Sequence, residues 1–354
     1  MRGATGCGWG TAAAAEVQHR RYAEKFPDQF PMRAPTLLVL GNPAARHLAL
    51  LDHLPTETHI LAGETEQAFS AGVDEAQVVL MAGSYREVLQ ALWPRLKRVE
   101  WVHSMWAGLE GMLFPELVES AVPLTNSRGV FARSLGEFAI AGMLHFAKRI
   151  GRMKSQQSRA LWEPFEVEEL HGRVLGIVGY GSIGRVAAER AKAFGMRIHV
   201  LRRHADRAAE DALVDRVYGV AELRELMAAS DYVLAAAPLT AETRGLIGEQ
   251  AIAAMKPNAV LINLGRGPVV EEQALVSALR AGAIRGAVLD VFDPDPLPPG
   301  HRLWTTPNLL ITPHISTDDP IGYNPASLDV FFANLQAWRE GRSMPNRVDP
   351  RRGY

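Results

Sequence analysis

The feature that most constrains the fold is a glycine-rich stretch near the middle of the chain, Arg173-Val-Leu-Gly-Ile-Val-Gly-Tyr-Gly-Ser-Ile-Gly184. Its apolar run, Val174 to Val178, is too short for a helix and shows no alternation, which is typical of a parallel strand buried on both faces. Behind the glycines we predict a helix over Arg185 to Phe194 and a second strand over Arg197 to Leu201. Strand, glycine turn, helix and strand therefore follow one another within about 30 residues, as in a dinucleotide-binding unit.

The three glycines of the turn have separate physical roles in such a unit. Gly179 permits the tight turn, Gly181 lets a pyrophosphate approach the backbone, and Gly184 lets the helix lie close to the strand. The pyrophosphate then lies at the positive end of the helix dipole, against amide groups without partners inside the helix. We therefore predict a dinucleotide site, the alternative being a glycine-rich turn of another α/β fold.

Composition restricts the class of protein. The chain has 354 residues, enough for two domains, and a formal net charge of −1, which gives no broad attraction to nucleic acid or membrane surfaces. Its single cysteine, Cys7, excludes an intramolecular disulfide and fits a reducing compartment such as the cytoplasm. No apolar stretch is long enough to span a bilayer, and no set of histidines, cysteines and carboxylates has metal-ligand spacing. We expect a cytoplasmic protein with a small-molecule ligand and without nucleic acid, membrane or metal.

Apolar runs alternate with helical stretches along the chain, which favours the α/β class. We predict two Rossmann-like domains with doubly wound parallel sheets. Residues 1–31 are predicted as a flexible N-terminal extension, 32–130 with 317–354 as one domain, and 131–316 as the dinucleotide-binding domain. A capping box at Ser134–Glu137 is predicted to begin a long helix that reaches Ile150. The further predicted strands are 36–40, 76–81, 99–103, one at Val217, 232–237, 259–264, 286–289 and 309–312, and the further predicted helices are 85–96 and 327–339.

The end of the second strand predicts which dinucleotide is bound. A carboxylate at this position, about 20 residues past the glycine turn, holds the adenosine ribose of NAD. Here the position is occupied by Arg202, followed by Arg203, with His204 and Arg207 close by. A guanidinium binds a ribose 2′-phosphate through paired hydrogen bonds, whereas a carboxylate repels it. We therefore predict NADP(H) in preference to NAD(H), and interpret Arg207 as solvated surface.

Polar side chains follow three predicted strands of the second half. Arg266 stands in a glycine turn after 259–264, three carboxylates including Asp290 and Asp295 follow 286–289, and His314 follows 309–312. In a doubly wound sheet, ligands bind outside the carboxyl ends of the strands. We therefore expect these side chains to face the crevice that the glycine turn also faces.

These segments resemble the D-2-hydroxyacid dehydrogenases. Gly179-Tyr-Gly-Ser-Ile-Gly184, Asn263-Leu-Gly-Arg-Gly267, Leu289-Asp-Val-Phe and Thr312-Pro-His-Ile match the motifs of that family in order and spacing, well from about residue 99 onward and only in pattern over 32–98. The resemblance implies an active site in the cleft between the domains, with Arg266, Asp295 and His314 as the catalytic set. The family more often has Glu where this chain has Asp295.

What the resemblance implies can be written as chemistry. Arg266 binds the carboxylate of a 2-oxo acid and polarises its ketone, His314 exchanges a proton with the ketone oxygen, and Asp295 fixes the imidazole tautomer. Domain 32–130 with 317–354 would then be the substrate-binding domain, its backbone holding the substrate at Trp106, Ala107 and Gly108. Asp290 is predicted to bond the nicotinamide carboxamide, and further cofactor contacts are predicted at Ser182, Ile183, Pro238, Thr243, Leu264 and Gly265.

The implied function is reversible reduction of a 2-oxo acid to the D-2-hydroxy acid by a homodimer, with the helix around 134–150 at the dimer interface. Two alternatives stay open. Formate oxidation would not need a histidine–carboxylate pair, and the formate enzymes of the family carry Gln where this chain has Asp295. The second alternative is a non-enzymatic, nucleotide-sensing protein that binds partners through the same fold.

Overall fold

A computed structural model describes residues 35–109, 111–203, 211–316 and 323–351. Two compact units make up this part of the chain, one from the described residues up to Ser127 together with those from Asn324 onward, the other from Arg128–Tyr323. The predicted flexible extension 1–31, with Cys7, and the neighbours His204 and Arg207 of the predicted phosphate site lie outside the described residues. Within the described part, no helix has both the length and the apolar composition needed to cross a membrane.

The first unit is built on a six-stranded sheet. Its strands are β1 Thr36–Leu40, β2 His59–Gly63, β3 Val78–Met81, β4 Trp101–Ser104, β5 Leu124–Asn126 and β13 Arg347–Val348, and its helices are α1 Arg86–Leu92, α2 Pro115–Glu119 and α9 Tyr323–Arg339. The order is β13-β5-β4-β3-β1-β2, and all neighbours are parallel except β13 and β5. Alternate residues of the central strands pack on opposite faces, as the period of two along a strand requires. On one face Trp101 stacks on Phe331 of α9, with 5.3 Å between ring centroids.

The second unit is built on a seven-stranded parallel sheet. Its strands are β6 Val174–Val178, β7 Arg197–Leu201, β8 Arg216–Tyr218, β9 Tyr232–Ala235, β10 Val260–Asn263, β11 Gly286–Leu289 and β12 Leu309–Ile311. Its helices are α3 Ala132–Ala147, α4 Ile150–Ser158, α5 Ser182–Ala193, α6 Leu223–Ala229, α7 Glu249–Ala253 and α8 Glu272–Arg280. The order is β12-β11-β10-β9-β6-β7-β8. Because all these strands are parallel, the segments after β6, β10, β11 and β12 leave the sheet at the same edge.

The sequence predicted most of these elements. Strands β1, β6, β7 and β11 have the predicted bounds, and the other predicted strands lie within one to two residues of their predicted bounds. Strands β2, β5 and β13 were not predicted. The helix predicted over 85–96 is α1 followed by the 3-10 helix Trp93–Arg95. The 3-10 helices without a sequence signal are Arg46–His53, Glu66–Phe69, Val73–Glu75, Val220–Glu222, Gly267–Val269 and Arg302–Thr305.

The predicted start and length of the helix over 134–150 are wrong. The helix α3 begins at Ala132 without a side-chain cap, and the Ser134 hydroxyl donates instead to the Ser316 carbonyl. It ends at Ala147, and Arg149, in the left-handed region at φ 52°, separates it from α4.

The helix α3 packs closely on α5 through a glycine. A methyl group on Gly136 would lie 2.8 Å from the side chain of Val186 in α5. Close packing on α5 therefore determines the position of α3.

Candidate active site

The glycine turn after β6 has no room for side chains at two of its three glycines. Gly179 has φ 97°, and a Cβ there would lie 2.5 Å from the backbone nitrogen of Ala237. A Cβ on Gly184 would lie 2.8 Å from the Gly179 carbonyl oxygen. Gly179 is therefore required for its positive φ, and Gly184 for the close approach of α5 to β6.

Gly181 differs from the other two because nothing lies within 4 Å of a Cβ built on it. It caps the N-terminus of α5 without a side-chain hydrogen bond, and the next residue, Ser182, is exposed while Ile183 is half-buried. Open space thus lies against the positive end of a 12-residue helix. This cradle fits the pyrophosphate of a dinucleotide, which needs both amide donors and an approach free of side chains.

Arg266 follows β10 and is held through its backbone. The buried Asn263 donates to the Arg266 carbonyl at 3.0 Å, and its Oδ1 accepts from the Gly265 amide at 3.2 Å. The Arg266 guanidinium is half-buried and donates to the Gly265 carbonyl at 3.0 Å. Asn263 therefore fixes the shape of the turn that carries Arg266, a contribution that the sequence motif alone did not reveal.

Asp295 and His314 lie in direct contact. Nδ1 of His314 is 2.6 Å from a carboxylate oxygen of Asp295, and the two side chains are 48% and 33% exposed. The shorter side chain of aspartate, in place of the more frequent glutamate, therefore reaches the imidazole. Because an ionised carboxylate only accepts, the hydrogen of this bond belongs to Nδ1, and Nε2 faces away from Asp295.

The carboxylate of Asp290 is fully buried directly after β11. Its two oxygens accept four hydrogen bonds, from Thr312 Oγ1 at 2.6 Å, the Ile315 amide at 3.0 Å, and the amide and hydroxyl of Ser316 at 3.1 and 2.5 Å. A carboxylate has about four acceptor positions, all of which are used here by one loop. The predicted contact of Asp290 with a nicotinamide carboxamide stays a prediction.

In the first unit, the loop after β4 that carries Trp106, Ala107 and Gly108 is anchored through its carbonyl groups. Four consecutive carbonyls accept hydrogen bonds: Ser104 from Ser127 Oγ, Met105 from Ser327 Oγ, Trp106 from the Ser127 amide and Ala107 from Asn126 Nδ2. The Trp106 side chain is 41% exposed. The loop is therefore held in one backbone conformation, which is the requirement for presenting amide groups to a ligand.

A buried imidazole lies beneath this loop. Trp101 Nε1 donates to Thr125 Oγ1 at 2.8 Å, so that the Thr125 hydroxyl can donate to Nδ1 of His103 at 2.7 Å. Nε2 of His103 then donates to Ser127 Oγ, 3.4 Å away. This order of donors suits only the neutral ring, and burial lowers the pKa of His103 to about 3.

Comparison with known proteins decides the family. The family model "D-isomer specific 2-hydroxyacid dehydrogenase, NAD binding domain" matches residues 140–316. The glyoxylate reductase of Thermococcus gammatolerans is 33% identical over 265 residues, which are 72% of this chain and 77% of that protein. The chain belongs to the D-isomer-specific 2-hydroxyacid dehydrogenases.

Solved structures of D-2-hydroxyacid dehydrogenases have the same fold. The family member from Aeromonas salmonicida has a TM-score of 0.77 and 30% identity, covering 90% of this chain and 100% of that one. The member from Xanthobacter autotrophicus, solved in complex with NADPH and MES, has a TM-score of 0.77 and 25% identity, covering 91% and 100%. This dehydrogenase is therefore an oxidoreductase with two Rossmann-like domains, one of which matches the NAD-binding domain of the family.

The predicted phosphate-binding arginines of the dehydrogenase follow β7, and Arg203 has an acidic neighbour. The guanidinium of Arg203 lies 3.6 Å from the exposed carboxylate of Glu242, and the Arg202 backbone amide donates to the Tyr218 carbonyl at 3.1 Å. Nearby, Asp211 accepts from Tyr180 Oη at 3.0 Å and from Arg185 Nε at 2.9 Å. Burial first, and then the hydrogen bond to Asp211, raises the pKa of Tyr180.

Sequence reasoning missed the position of Glu242 beside Arg203, although both charged residues were visible in the sequence. Glu242 is distant in sequence from the arginines, and only folding brings it to Arg203. The other predicted cofactor positions have local structural contacts: Thr243 Oγ1 donates to the Pro238 carbonyl at 2.6 Å, and a Cβ on Gly265 would lie 3.1 Å from the Ala237 carbonyl oxygen, so the loops after β9 and β10 pack together. Leu264 is buried.

The structure thus brings Asp295 and His314 into contact, and places Arg266 after the adjacent strand of the same sheet edge. Trp106, Ala107 and Gly108 belong to the other unit. Within the described residues, no group of three or more histidine, cysteine or acidic side chains is arranged to hold a metal ion.

Proposed function

We propose that this dehydrogenase reduces a small 2-oxo acid to the D-2-hydroxy acid, with NADPH preferred to NADH. The observation that carries the proposal is the 2.6 Å contact between His314 and Asp295, after strands β12 and β11, beside the strand that carries Arg266. An acid–base pair and a guanidinium at one sheet edge form the set that reduction of a ketone next to a carboxylate requires. Relatives that bear the name glyoxylate reductase support a small substrate.

The proposed roles follow from the chemistry of each side chain. When bound, the reduced nicotinamide supplies the hydride. Arg266 binds the substrate carboxylate and attracts the charge that develops on the ketone oxygen. Protonated His314 donates from Nε2 to that oxygen, while Asp295 holds Nδ1 and stabilises the charged ring. In the reverse direction His314 accepts the proton.

The cradle over Gly181 at the start of α5, where a Cβ would meet nothing within 4 Å, supports the proposed cofactor site. Arg202 and Arg203 are proposed to bind the 2′-phosphate. Pro238, Thr243, Leu264 and Gly265 stay proposed cofactor contacts, and Trp106, Ala107 and Gly108 stay proposed substrate contacts. The predicted location in the cytoplasm stays a prediction.

A steady-state panel tests the reaction and the cofactor together. Glyoxylate, hydroxypyruvate and a bulkier 2-oxo acid are offered with NADPH or NADH, and the loss of absorbance of the reduced nicotinamide is followed. We expect turnover with NADPH, its loss in His314→Ala with cofactor binding retained, and normal turnover in the control His171→Ala, which removes an exposed imidazole of the same unit. Absence of turnover with every acid would favour the nucleotide-sensing alternative. In a separate assay, reduction of NADP+ or NAD+ by formate, followed as a gain of absorbance, would favour formate oxidation.

We further propose a homodimer. An interface at the helix predicted over 134–150 stays a prediction, and the exposed apolar side chains that support an interface lie in α4 and the segment after it. Large apolar side chains there face solvent in the monomer, and Trp162 is 95% exposed. The others are Ile150, Met153, Leu161 and Val167. Light scattering on protein eluted from a size-exclusion column tests this. The parent should have a mass of about 77 kDa, that of two 38.7 kDa chains, and Trp162→Glu the mass of one chain.

A further inference from the structure

A clamp of hydrogen bonds surrounds the backbone of His314. Asp290 accepts from Thr312, two residues before His314, and from Ile315 and Ser316, the two residues after it. The donors include two side-chain hydroxyls and two backbone amides. One buried carboxylate therefore fixes the chain on both sides of the imidazole.

The clamp encloses an unfavourable backbone conformation. His314 has φ 54°, in the left-handed region that side chains other than glycine rarely adopt. Such a conformation persists only where its surroundings determine it. The hydrogen bonds from Thr312, Ile315 and Ser316 to Asp290 supply that determination, and the Ser316 carbonyl is tied to α3 through the Ser134 hydroxyl.

We propose that Asp290 is a positioning residue for His314. By holding the flanking residues, it keeps His314 in the left-handed conformation from which the ring meets Asp295 and directs Nε2 away from it. The proposal rests on the proposed function, in which His314 transfers the proton. It assigns Asp290 a role distinct from a contact with the nicotinamide carboxamide, since one loop uses all four acceptor positions of the carboxylate.

Two kinds of variant test the clamp. Asp290→Asn replaces one acceptor oxygen by an NH₂ group that faces N–H and O–H donors. Thr312→Val and Ser316→Ala remove one hydroxyl donor each and leave the backbone donors, whereas Thr312→Ser keeps the hydroxyl. The matched control is Asp293→Asn, which neutralises an exposed carboxylate of the same segment. Four quantities are measured: kcat and KM for the 2-oxo acid, the Kd of NADPH by its fluorescence, and amide exchange of the segment 311–316.

We expect Asp290→Asn to lower kcat roughly 100-fold, because displacement of a proton donor by about 1 Å has an effect of this size. The Kd of NADPH should stay within about twofold, and amide exchange of 311–316 should become faster. Thr312→Val and Ser316→Ala should each lower kcat roughly five- to tenfold, in line with one lost hydrogen bond, while Thr312→Ser and Asp293→Asn keep the parent kcat.

Three outcomes would overturn the proposal. A kcat of Asp290→Asn equal to that of the parent would show that Asp290 does not position His314. A weakened Kd for NADPH with kcat at saturation unchanged would assign Asp290 to the carboxamide. Equal losses in Thr312→Ser and Thr312→Val would show that the hydroxyl is not the group that matters. If the parent reduces no 2-oxo acid, the proposed function fails separately, and exchange at 311–316 decides alone whether Asp290 fixes the segment. Should Asp290→Asn not fold, the Thr312 pair and Ser316→Ala decide.

Discussion

Nδ1 of His314 lies 2.6 Å from the carboxylate of Asp295, a residue 19 positions earlier in the chain. The two residues follow adjacent parallel strands, β12 and β11, so the contact is produced by the sheet. The bond leaves Nε2 as the only ring nitrogen that can exchange a proton with a substrate.

Asp295→Asn should lower kcat roughly 100-fold without unfolding the protein. The amide lacks the charge that stabilises the imidazolium and can present a donor to Nδ1, which favours the wrong tautomer. Steady-state kinetics with a 2-oxo acid measures the effect, and His314→Ala in the same assay sets the lower limit. A kcat for Asp295→Asn equal to that of the parent would remove Asp295 from the mechanism.

Gly181→Ala should weaken cofactor binding and leave stability unchanged. A methyl group there meets no protein atom within 4 Å, but it occupies the space against the helix N-terminus. We expect the Kd of NADPH to rise at least about tenfold. Gly111→Ala, at another glycine with open space around it, is the control, and Gly179→Ala should lower the melting temperature because of its φ of 97°. Unchanged NADPH affinity in Gly181→Ala would place the pyrophosphate elsewhere.

Glu242→Gln should lower the KM for NADPH about two- to threefold and leave the KM for NADH unchanged. The exposed Glu242 carboxylate lies 3.6 Å from the Arg203 guanidinium, and its negative charge would repel a 2′-phosphate bound there, so its neutralisation should favour the phosphate. Arg202→Asp should shift the preference towards NADH. Equal effects of Glu242→Gln on both cofactors would contradict a phosphate site at Arg203.

Asn126→Ala should raise the KM for the 2-oxo acid roughly tenfold. Its side-chain amide holds the Ala107 carbonyl at 2.5 Å, so its loss loosens the loop proposed to bind the substrate carboxylate. The Kd of NADPH should not change. Asn42→Ala, in an exposed turn of the same unit, serves as control, and an unaltered KM in Asn126→Ala would argue against substrate contact by this loop.

Acid should destabilise the protein partly through His103. Burial lowers the pKa of His103 to about 3 from the ordinary 6.5. Between these values the unfolded chain binds a proton at this residue and the folded chain does not. The stability contributed by the neutral imidazole is therefore complete above about pH 6.5 and decreases as the pH falls towards 3, by up to about 1.4 kcal/mol per pH unit.

Urea unfolding at several values between pH 6.5 and 4 measures this slope. His103→Gln should reduce the slope of the unfolding free energy against pH relative to the parent. His59→Gln removes an exposed imidazole of the same unit and serves as reference. Equal slopes in the two variants would exclude His103 as a source of acid sensitivity.

Local sequence patterns predicted the elements whose structure depends on residues close together in the chain. The glycine turn and the central strands have strong patterns, and Arg266, Asp295 and His314 each stand at a predicted strand end. The capping box at Ser134 was wrong because the Ser134 hydroxyl finds a tertiary partner in the Ser316 carbonyl, which no local pattern reveals. Edge strand β2 was missed because only Gly63 of its five residues is buried, so it lacks a buried apolar run. The clamp by Asp290 joins residues about 25 positions apart, and its signal, an aspartate at the end of an apolar strand, equally suits a ligand contact.

The division of the chain into two units has a consequence for how such enzymes diversify. The glycine turn, Arg266, Asp295 and His314 belong to one unit, and the loop carrying Trp106 to the other. Under the proposed function, mutation in the unit that carries the Trp106 loop would alter which acid is accepted and leave Asp295 and His314 unchanged. Chimaeras that exchange residues 35–127 and the C-terminal helix between relatives should therefore have the substrate preference of the relative that supplied these residues.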